Sequence, residues 1–185
     1  IPFWAKLSWH DHPPLVFWIQ HIFIKLIGEN NFAFRLPSAI LGILSVLLIY
    51  LIGKRLYSEK VGLISALLMA VTVNSIFISR AGLQESYAIF FILLALFFFL
   101  KSLENSRYLI WTGIFIGLGG LAKYTAFITI PIILVYLLLF KRNYFKEKYF
   151  WLGILGALII FSPVIIYNVG LYNRVGHFDF QLSYI

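Results

Sequence analysis

Long apolar stretches alternate with short polar breaks along most of the chain, and this alternation predicts membrane-spanning helices. Six apolar segments can be drawn, at residues 36–52, 61–78, 87–100, 108–122, 124–140 and 150–167. Several are shorter than the roughly 20 residues that cross the hydrocarbon core of a bilayer. Aromatic and basic residues at their ends can reach the interface and make up the difference. We therefore predict an all-α integral membrane domain with about six transmembrane helices.

The stretch before the first span, residues 13–28, is apolar but interrupted by Gln20, His21 and Lys25. This makes it too polar for a good span, although the two prolines at its start suit the first turn of a helix. We predict an interfacial helix that lies along the outer surface of the membrane.

No repeat, low-complexity segment or long linker breaks the pattern, so one membrane domain accounts for the whole chain. Residues 1–35 would form part of a first outer loop with its interfacial helix, residues 36–167 the six spans, and residues 168–185 the start of another outer loop. The sequence begins without a methionine or a signal peptide and ends without a terminating signal. We interpret it as a fragment of a longer membrane protein.

Basic residues lie mainly in the breaks, and their distribution predicts the orientation. Nine of the fifteen lie in alternate breaks, at Lys54, Arg55, Lys60, Lys101, Arg107, Lys141, Arg142, Lys146 and Lys148. By the positive-inside rule these breaks face the cytoplasm of a plasma-membrane protein. The other six then fall on the outer side, at Lys6, Lys25, Arg35, Arg80, Lys123 and Arg174.

The composition excludes several classes of protein. Hydrophobic residues make up 62% of the chain and charged residues 12%, whereas soluble domains have roughly 45–50% and 25%. There is no cysteine, which rules out disulfides and thiolate metal sites. The net charge of +8 is not gathered on one polar face, so we expect membrane lipids and no nucleic acid as partners.

A polar cluster, His10-Asp11-His12, stands just before Pro13 and Pro14 at the membrane edge. Its groups can bind a metal or carry protons, but adjacent residues point in different directions, so one ion held by all three is not expected. Asp11 is the candidate for a metal ligand. His12, which the prolines orient, is the candidate for contact with a charged ligand, and the alternative is a solvated loop with ordinary interfacial histidines.

Four further charged residues are candidates on the outer side, each with an alternative. Arg80 and Glu85 share a short turn, where they could pair with each other, or Arg80 could hold a substrate phosphate that Glu85 helps to orient. Lys123 follows a glycine-rich stretch that predicts close helix packing rather than a phosphate-binding loop. Lys123 and Arg35 could contact a lipid phosphate or serve as plain interfacial anchors.

Taken in order, several stretches resemble the dolichyl-phosphate-mannose–protein mannosyltransferase-like family. This family belongs to the membrane glycosyltransferases that use polyprenyl-phosphate sugars, together with the aminoarabinose transferases that modify lipid A. The matching stretches are His12-Pro13-Pro14-Leu15 with Phe17-Trp18, residues 29–38, Ser79-Arg80 with Glu85, Gly117-Leu118 leading to Leu121-Ala122-Lys123, and Pro163 with Tyr167-Asn168 and residues 178–181.

The resemblance implies a partial C-type membrane glycosyltransferase fold. It also implies a hexosyl- or pentosyltransferase that moves a sugar from a polyprenyl-phosphate carrier to a protein, lipid or glycan acceptor on the outer face. The family's catalytic carboxylate would lie in an acidic motif upstream of Ile1. Asp11 would match an acidic metal-binding neighbour found in some relatives, so a divalent metal is compatible, although no cofactor is certain.

The implied mechanism is an inverting displacement at the anomeric carbon, in which the lipid phosphate leaves. His12, Arg80, Lys123 and Arg35 would bind the donor or its phosphate, and Glu85 and Gln181 would position groups around the site. The alternatives are a polyprenyl-linked lipid transporter or flippase and a non-catalytic membrane subunit. A transporter is disfavoured because the span interiors carry no charge and no inverted repeat is visible.

Overall fold

The computed structural model describes residues 12–176, with Val175 by its backbone only, and every regular element in that range is helical. The α-helices of this range are α1 Leu15–Ile27, α2 Asn31–Leu56, α3 Glu59–Val71, α4 Val73–Ala81, α5 Gln84–Ser102, α6 Tyr108–Ala122, α7 Thr129–Phe140 and α8 Lys148–Val175. Short 3₁₀ turns at Tyr124–Ile128 and Arg142–Lys146 precede α7 and α8. The prediction of an all-α architecture is confirmed for these residues.

Each predicted apolar segment coincides with helix, but the helices differ in length. Among the described residues, α2, α5 and α8 are long and apolar enough to cross a membrane, and α3 with α4 qualifies as a fourth if the bent pair is one span. The 15 residues of α6 cover only about 22 Å at ~1.5 Å per residue. The coarser prediction of an apolar helical bundle is confirmed, and the count of six spans stays a prediction.

The second predicted span is broken at Thr72, where α3 and α4 meet at an angle of 60°. Thr72 has an extended backbone, with φ −66° and ψ 121°. Its hydroxyl donates to the carbonyl of Leu68 at 2.5 Å, a back-bond of the kind that bends helices. The break turns α4 away from the direction of α3.

The glycine-rich helix α6 packs closely against α8, as its small residues predict. A Cβ atom at Gly113 would overlap the carbonyl group of Gly153, and one at Gly117 would lie 2.8 Å from the carbonyl oxygen of Ala157. Only residues without side chains let two backbones come this close. The contact fixes α6 and α8 as one rigid pair.

The three basic breaks converge at one end of the bundle. Arg55, at the end of α2, forms an ion pair of 2.6 Å with Glu104 in the α5–α6 connection. Tyr144, before α8, donates from its hydroxyl to the carbonyl of Ser102 at 2.9 Å. Burial, helped by the nearby Glu147 carboxylate, raises the pKa of Tyr144 above its usual value, which keeps the donor protonated. These contacts agree with the predicted placement of alternate breaks on one side.

Helix α1 lies at the other end, called here the α1 end. It packs against α2 and α6, and its outward side exposes Phe17, Trp18, Ile22 and Leu26. An apolar outward face is what an interfacial helix needs, and its interfacial location stays a prediction.

Helix α8 is longer than the sixth predicted span. It continues beyond Tyr167 to Val175 and ends at Gly176, whose φ of 80° lies in the left-handed region. Residues 168–175, which we expected to start an outer loop, are therefore helical. The reason is that no residue between Pro163 and Gly176 interrupts the backbone hydrogen bonding.

Candidate functional site

Two helix junctions meet at the α1 end and position the charged side chains there. Helix α4 ends at Gly82, with φ 78°, and Leu83 begins the turn into α5. Glu85 therefore lies in the first turn of α5. Helix α6 ends at Lys123, whose extended backbone starts the connection to α7.

Lys123 and Glu85 form an ion pair across this junction. The ammonium nitrogen of Lys123 lies 2.6 Å from Oε1 of Glu85, and the side chains are 24% and 42% exposed. Among the described residues Glu85 is therefore paired with Lys123 and not with Arg80, whereas its role in orienting a substrate phosphate stays a prediction. The ion pair of Glu85 among residues 12–176 is with Lys123, which follows it by 38 residues.

His12 lies within electrostatic range of the Glu85 carboxylate, although no hydrogen bond or ion pair joins the two among the described residues. Its imidazole is exposed, whereas the next residue, Pro13, is fully buried. The buried proline anchors the backbone and leaves the histidine at the surface. The structure thus brings together His12, Glu85 and Lys123, which we call the lysine corner.

The lysine corner contains a buried amide that the sequence did not single out. Gln20 of α1 is 4% exposed and donates from Nε2 to the carbonyl of Gly82 at 2.8 Å. This bond fastens α1 to the α4–α5 turn. Its spacing could have predicted this burial, because Gln20 follows Val16 by about one helical turn and so lies on the same face of α1.

Two buried hydroxyls also escaped prediction, those of Ser86 and Tyr87. Tyr87 has no exposed surface and packs in one cluster with Val16 of α1 and Ala122 of α6. Neither hydroxyl has a hydrogen-bond partner among the residues that the structure describes. Buried polar groups in proteins are nearly always paired, so these two hydroxyls, on the residues that follow Glu85 in sequence, are exceptions among the described residues.

Arg35 and Arg80 come together in a second place at the same end. Both line a groove of about 440 Å³ between α2 and α4. The walls of this groove include neither Lys123 nor Glu85. The predicted site residues that the structure describes therefore form two groups. One is the lysine corner, and the other is the pair of arginines in this groove.

The remaining predicted positions lie outside the described residues, namely the metal candidate Asp11 and the positioning residue Gln181. Among residues 12–176 no three His, Asp or Glu side chains cluster as a metal site would require. Both residues stay predictions.

A wide apolar groove of about 600 Å³ lies between α6, α7 and α8. Its walls include one hydroxyl, that of Thr112, which already donates to the carbonyl of Tyr108 at 3.1 Å. One part of the groove is walled by Phe127 and Phe161, whose rings lie 5.0 Å apart. Phe127 belongs to the 3₁₀ turn that directly follows Lys123. The groove suits a hydrocarbon chain and no polar ligand.

Comparison with known proteins gives the chain a family context. The family model for dolichyl-phosphate-mannose-protein mannosyltransferase matches residues 11–167. The chain is 31% identical over 81% of its length to a Bacillus subtilis (strain 168) protein provisionally named the mannosyltransferase YycA. It is 27% identical over 76% of its length to the undecaprenyl phosphate-alpha-4-amino-4-deoxy-L-arabinose arabinosyl transferase of Wigglesworthia glossinidia brevipalpis. No solved structure matches the chain.

The chain spans only part of these relatives. The matched region covers 22% of the Bacillus protein and 26% of the Wigglesworthia protein. The activity of a whole protein therefore has to be argued from the site.

Proposed function

Because the chain belongs to the dolichyl-phosphate-mannose-protein mannosyltransferase family, we propose that it forms part of a membrane glycosyltransferase that uses a polyprenyl-phosphate sugar as donor. The observation that carries this proposal is the lysine corner, in which Lys123, Glu85 and His12 meet at one end of an apolar bundle. The names of the relatives, a mannosyltransferase and an undecaprenyl phosphate aminoarabinose transferase, point in the same direction.

Lys123 is the proposed contact to the donor phosphate. An ammonium group carries three N–H donors, and one of them is held by Glu85 at 2.6 Å. The others are free to reach an anionic oxygen, and the bond to Glu85 fixes where they point. His12 adds a second donor at the exposed edge of the corner, where a head group would arrive from solvent.

The proposed reaction is a displacement at the anomeric carbon of the donor sugar. The acceptor oxygen forms a new bond to this carbon, and the bond between the carbon and the phosphate oxygen breaks. The bonding electrons go to the lipid phosphate, whose growing charge Lys123 and His12 stabilise. The acceptor proton goes to a carboxylate base, which the resemblance assigns to the acidic motif ahead of residue 1 rather than to the paired Glu85.

The apolar groove between α6, α7 and α8 is the proposed path for part of the isoprenoid chain. Phe127, one wall of this groove, belongs to the turn that directly follows Lys123, so we place the opening of the groove beside a phosphate at the lysine corner. The hydroxyl in the groove wall, that of Thr112, is already hydrogen-bonded and needs no water. Each methylene of an isoprenoid chain buried there would contribute about 0.8 kcal/mol to the free energy of binding.

The other predicted roles enter this proposal unchanged. The site faces the outer side of the plasma membrane, and the acceptor is a protein, lipid or glycan. Gln181 positions groups around the sugar, and Asp11 is the residue through which a divalent metal would act. Only Arg35 and Arg80 depart from their predicted role in donor binding, because they line a groove separate from the lysine corner, and they take no part in the proposed transfer.

The test is sugar transfer by the whole protein in lipid nanodiscs. Lys123→Gln keeps a polar side chain with N–H donors, one bond shorter than lysine, but removes its charge. Because one donor at a developing oxyanion is worth roughly 10²–10³-fold in rate, we expect kcat to fall by about 100-fold, with a smaller change in KM. Transfer is measured by release of the sugar from a radiolabelled polyprenyl-phosphate donor.

Lys60→Gln is the matched control, because Lys60 is exposed in the first turn of α3, at the opposite end of the bundle. It removes the same charge from the other end of the bundle and is expected to leave kcat unchanged. Full activity in Lys123→Gln would rule out the lysine corner as the phosphate site. In sealed proteoliposomes, movement of intact donor across the bilayer without transfer would favour the flippase alternative.

A further inference from the structure

The groove between α2 and α4 combines two arginines with an apolar wall. It is lined by Arg35, Val73, Ile76, Phe77, Arg80 and Ala81. No acidic residue is among these, so the two positive charges are not balanced within the groove. A pocket of about 440 Å³ is large enough for a phosphate head group and the start of a hydrocarbon chain.

The wall of the groove is one face of helix α4. Val73, Ile76, Phe77 and Arg80 follow the three- and four-residue spacing that puts side chains on the same side of a helix. Val73 and Phe77 are 81% and 62% exposed. This face of α4 is therefore apolar along most of its length and ends in a positive charge. An anionic lipid has the complementary arrangement, with an apolar chain attached to a negatively charged phosphate.

Both guanidinium groups are available to a ligand. Within residues 12–176 neither Arg35 nor Arg80 has a side-chain hydrogen bond or an ion pair, and both side chains are exposed. Two like charges in one groove repel each other, and an anion between them removes that cost. The planar fork of arginine fits two oxygens of a phosphate at once.

The backbone around the groove is held in place before any ligand binds. Ser38 of α2 donates from its hydroxyl to the carbonyl of Ser79 in α4 at 2.7 Å. Gly42 lies so close to the Ser79 side chain that a Cβ atom there would overlap it. The two walls that carry Arg35 and Arg80 therefore keep a fixed separation.

We propose that this groove binds an anionic membrane lipid other than the sugar donor, with its phosphate between Arg35 and Arg80 and a chain along Val73 and Phe77. The inference goes beyond the proposed function, in which these arginines take no part, and it requires no sugar transfer. It makes the groove a separate lipid site beside the lysine corner.

The test is lipid binding by the whole protein, purified in detergent and titrated with phosphatidylglycerol or phosphatidylcholine, with bound lipid counted by native mass spectrometry. The double variant Arg35→Gln/Arg80→Gln removes both charges from the groove. Lys60→Gln/Arg107→Gln is the matched control, because it removes two exposed charges outside the groove. We expect saturable phosphatidylglycerol binding that weakens at least about tenfold in the double variant and not in the control.

Several outcomes would overturn the proposal. One is equal binding of phosphatidylglycerol by the double variant and the wild type, and another is equal binding of the two lipids by the wild type. Displacement by millimolar inorganic phosphate would reassign the groove to a free anion, and binding of polyprenyl phosphate alone would reassign it to the donor.

Lys123→Gln separates this inference from the proposed function. It should keep phosphatidylglycerol binding even where sugar transfer is lost, since Lys123 does not line the groove. Loss of lipid binding in this variant would contradict a separate site, whereas normal transfer with lost lipid binding in the double variant would leave the inference intact.

Discussion

The hydroxyl of Tyr87 is fully buried and has no hydrogen-bond partner among residues 12–176. A buried hydroxyl without a partner costs about 1–3 kcal/mol. We therefore expect Tyr87→Phe to leave the free energy of unfolding unchanged or to raise it by about 1 kcal/mol, measured by chemical unfolding of the whole protein in mixed micelles.

Tyr144→Phe is the matched control, because its hydroxyl donates to the carbonyl of Ser102 at 2.9 Å. Loss of this bond should lower the free energy of unfolding by about 1 kcal/mol. A similar loss in Tyr87→Phe would mean that a water or ligand group satisfies the Tyr87 hydroxyl, and the lysine corner would then extend to this residue.

The charged residues of the site could be predicted one by one, but their pairing could not. His12, Glu85 and Lys123 stand out because ionisable groups are rare beside apolar spans. Nothing in the sequence fixes the rotation of α5 relative to α6. No local sequence pattern therefore predicts the contact between Glu85 and Lys123. The burial of Gln20 was not predicted for another reason, because in the hydropathy pattern this residue is only a polar interruption of an apolar stretch.

At the scale of the helix, the contact between α6 and α8 depends on the absence of side chains. A Cβ atom at Gly113 would overlap the Gly153 carbonyl, so Gly113→Ala must push the two helices apart. Overpacking of this kind costs about 1–3 kcal/mol. We expect a loss of that size in the free energy of unfolding, measured in mixed micelles.

Gly170→Ala is the control within the same pair of helices. No atom lies within 4 Å of the position that a Cβ would take at Gly170, and alanine favours a helix by about 1 kcal/mol over glycine. The free energy of unfolding should therefore stay equal or rise. If the free energy of unfolding also rose in Gly113→Ala, α6 and α8 would not be in close contact.

The helices were predictable because apolar runs of this length cannot be anything else in a membrane. The bends and ends of these helices were less predictable. The bend at Thr72 coincides with an extended backbone and a side-chain hydrogen bond at this residue, and a hydropathy pattern contains neither. The extension of α8 to Val175 was missed because Asn168, Asn173 and Arg174 are typical of loops, whereas in the structure they continue the helix.

At the scale of the whole molecule, the helices carry their charged residues to two ends, and the sidedness of those ends is a prediction. The 185 residues contain no cysteine, so single cysteines report position without interference from this chain. Thr125 is exposed next to Lys123, and Tyr57 is exposed in the break between α2 and α3.

We expect a membrane-impermeant maleimide to label Thr125→Cys in intact cells, and Tyr57→Cys only after lysis, because the positive-inside rule puts the break that holds Lys54, Arg55 and Lys60 in the cytoplasm. Labelling is read by gel shift of the tagged protein. The reverse pattern would place the lysine corner on the cytoplasmic side and remove the basis for an outer-face reaction.

The ion pair between Lys123 and Glu85 has a consequence for turnover. A sugar phosphodiester carries one negative charge, whereas the lipid phosphate left after transfer is a monoester that approaches two near neutral pH. A bare lysine would hold this more highly charged product more tightly than the donor, and turnover would slow. With Glu85 at 2.6 Å, the charge of the Lys123 ammonium is already balanced when the corner is empty, so the carboxylate repels the second charge as it appears and helps to expel the spent carrier.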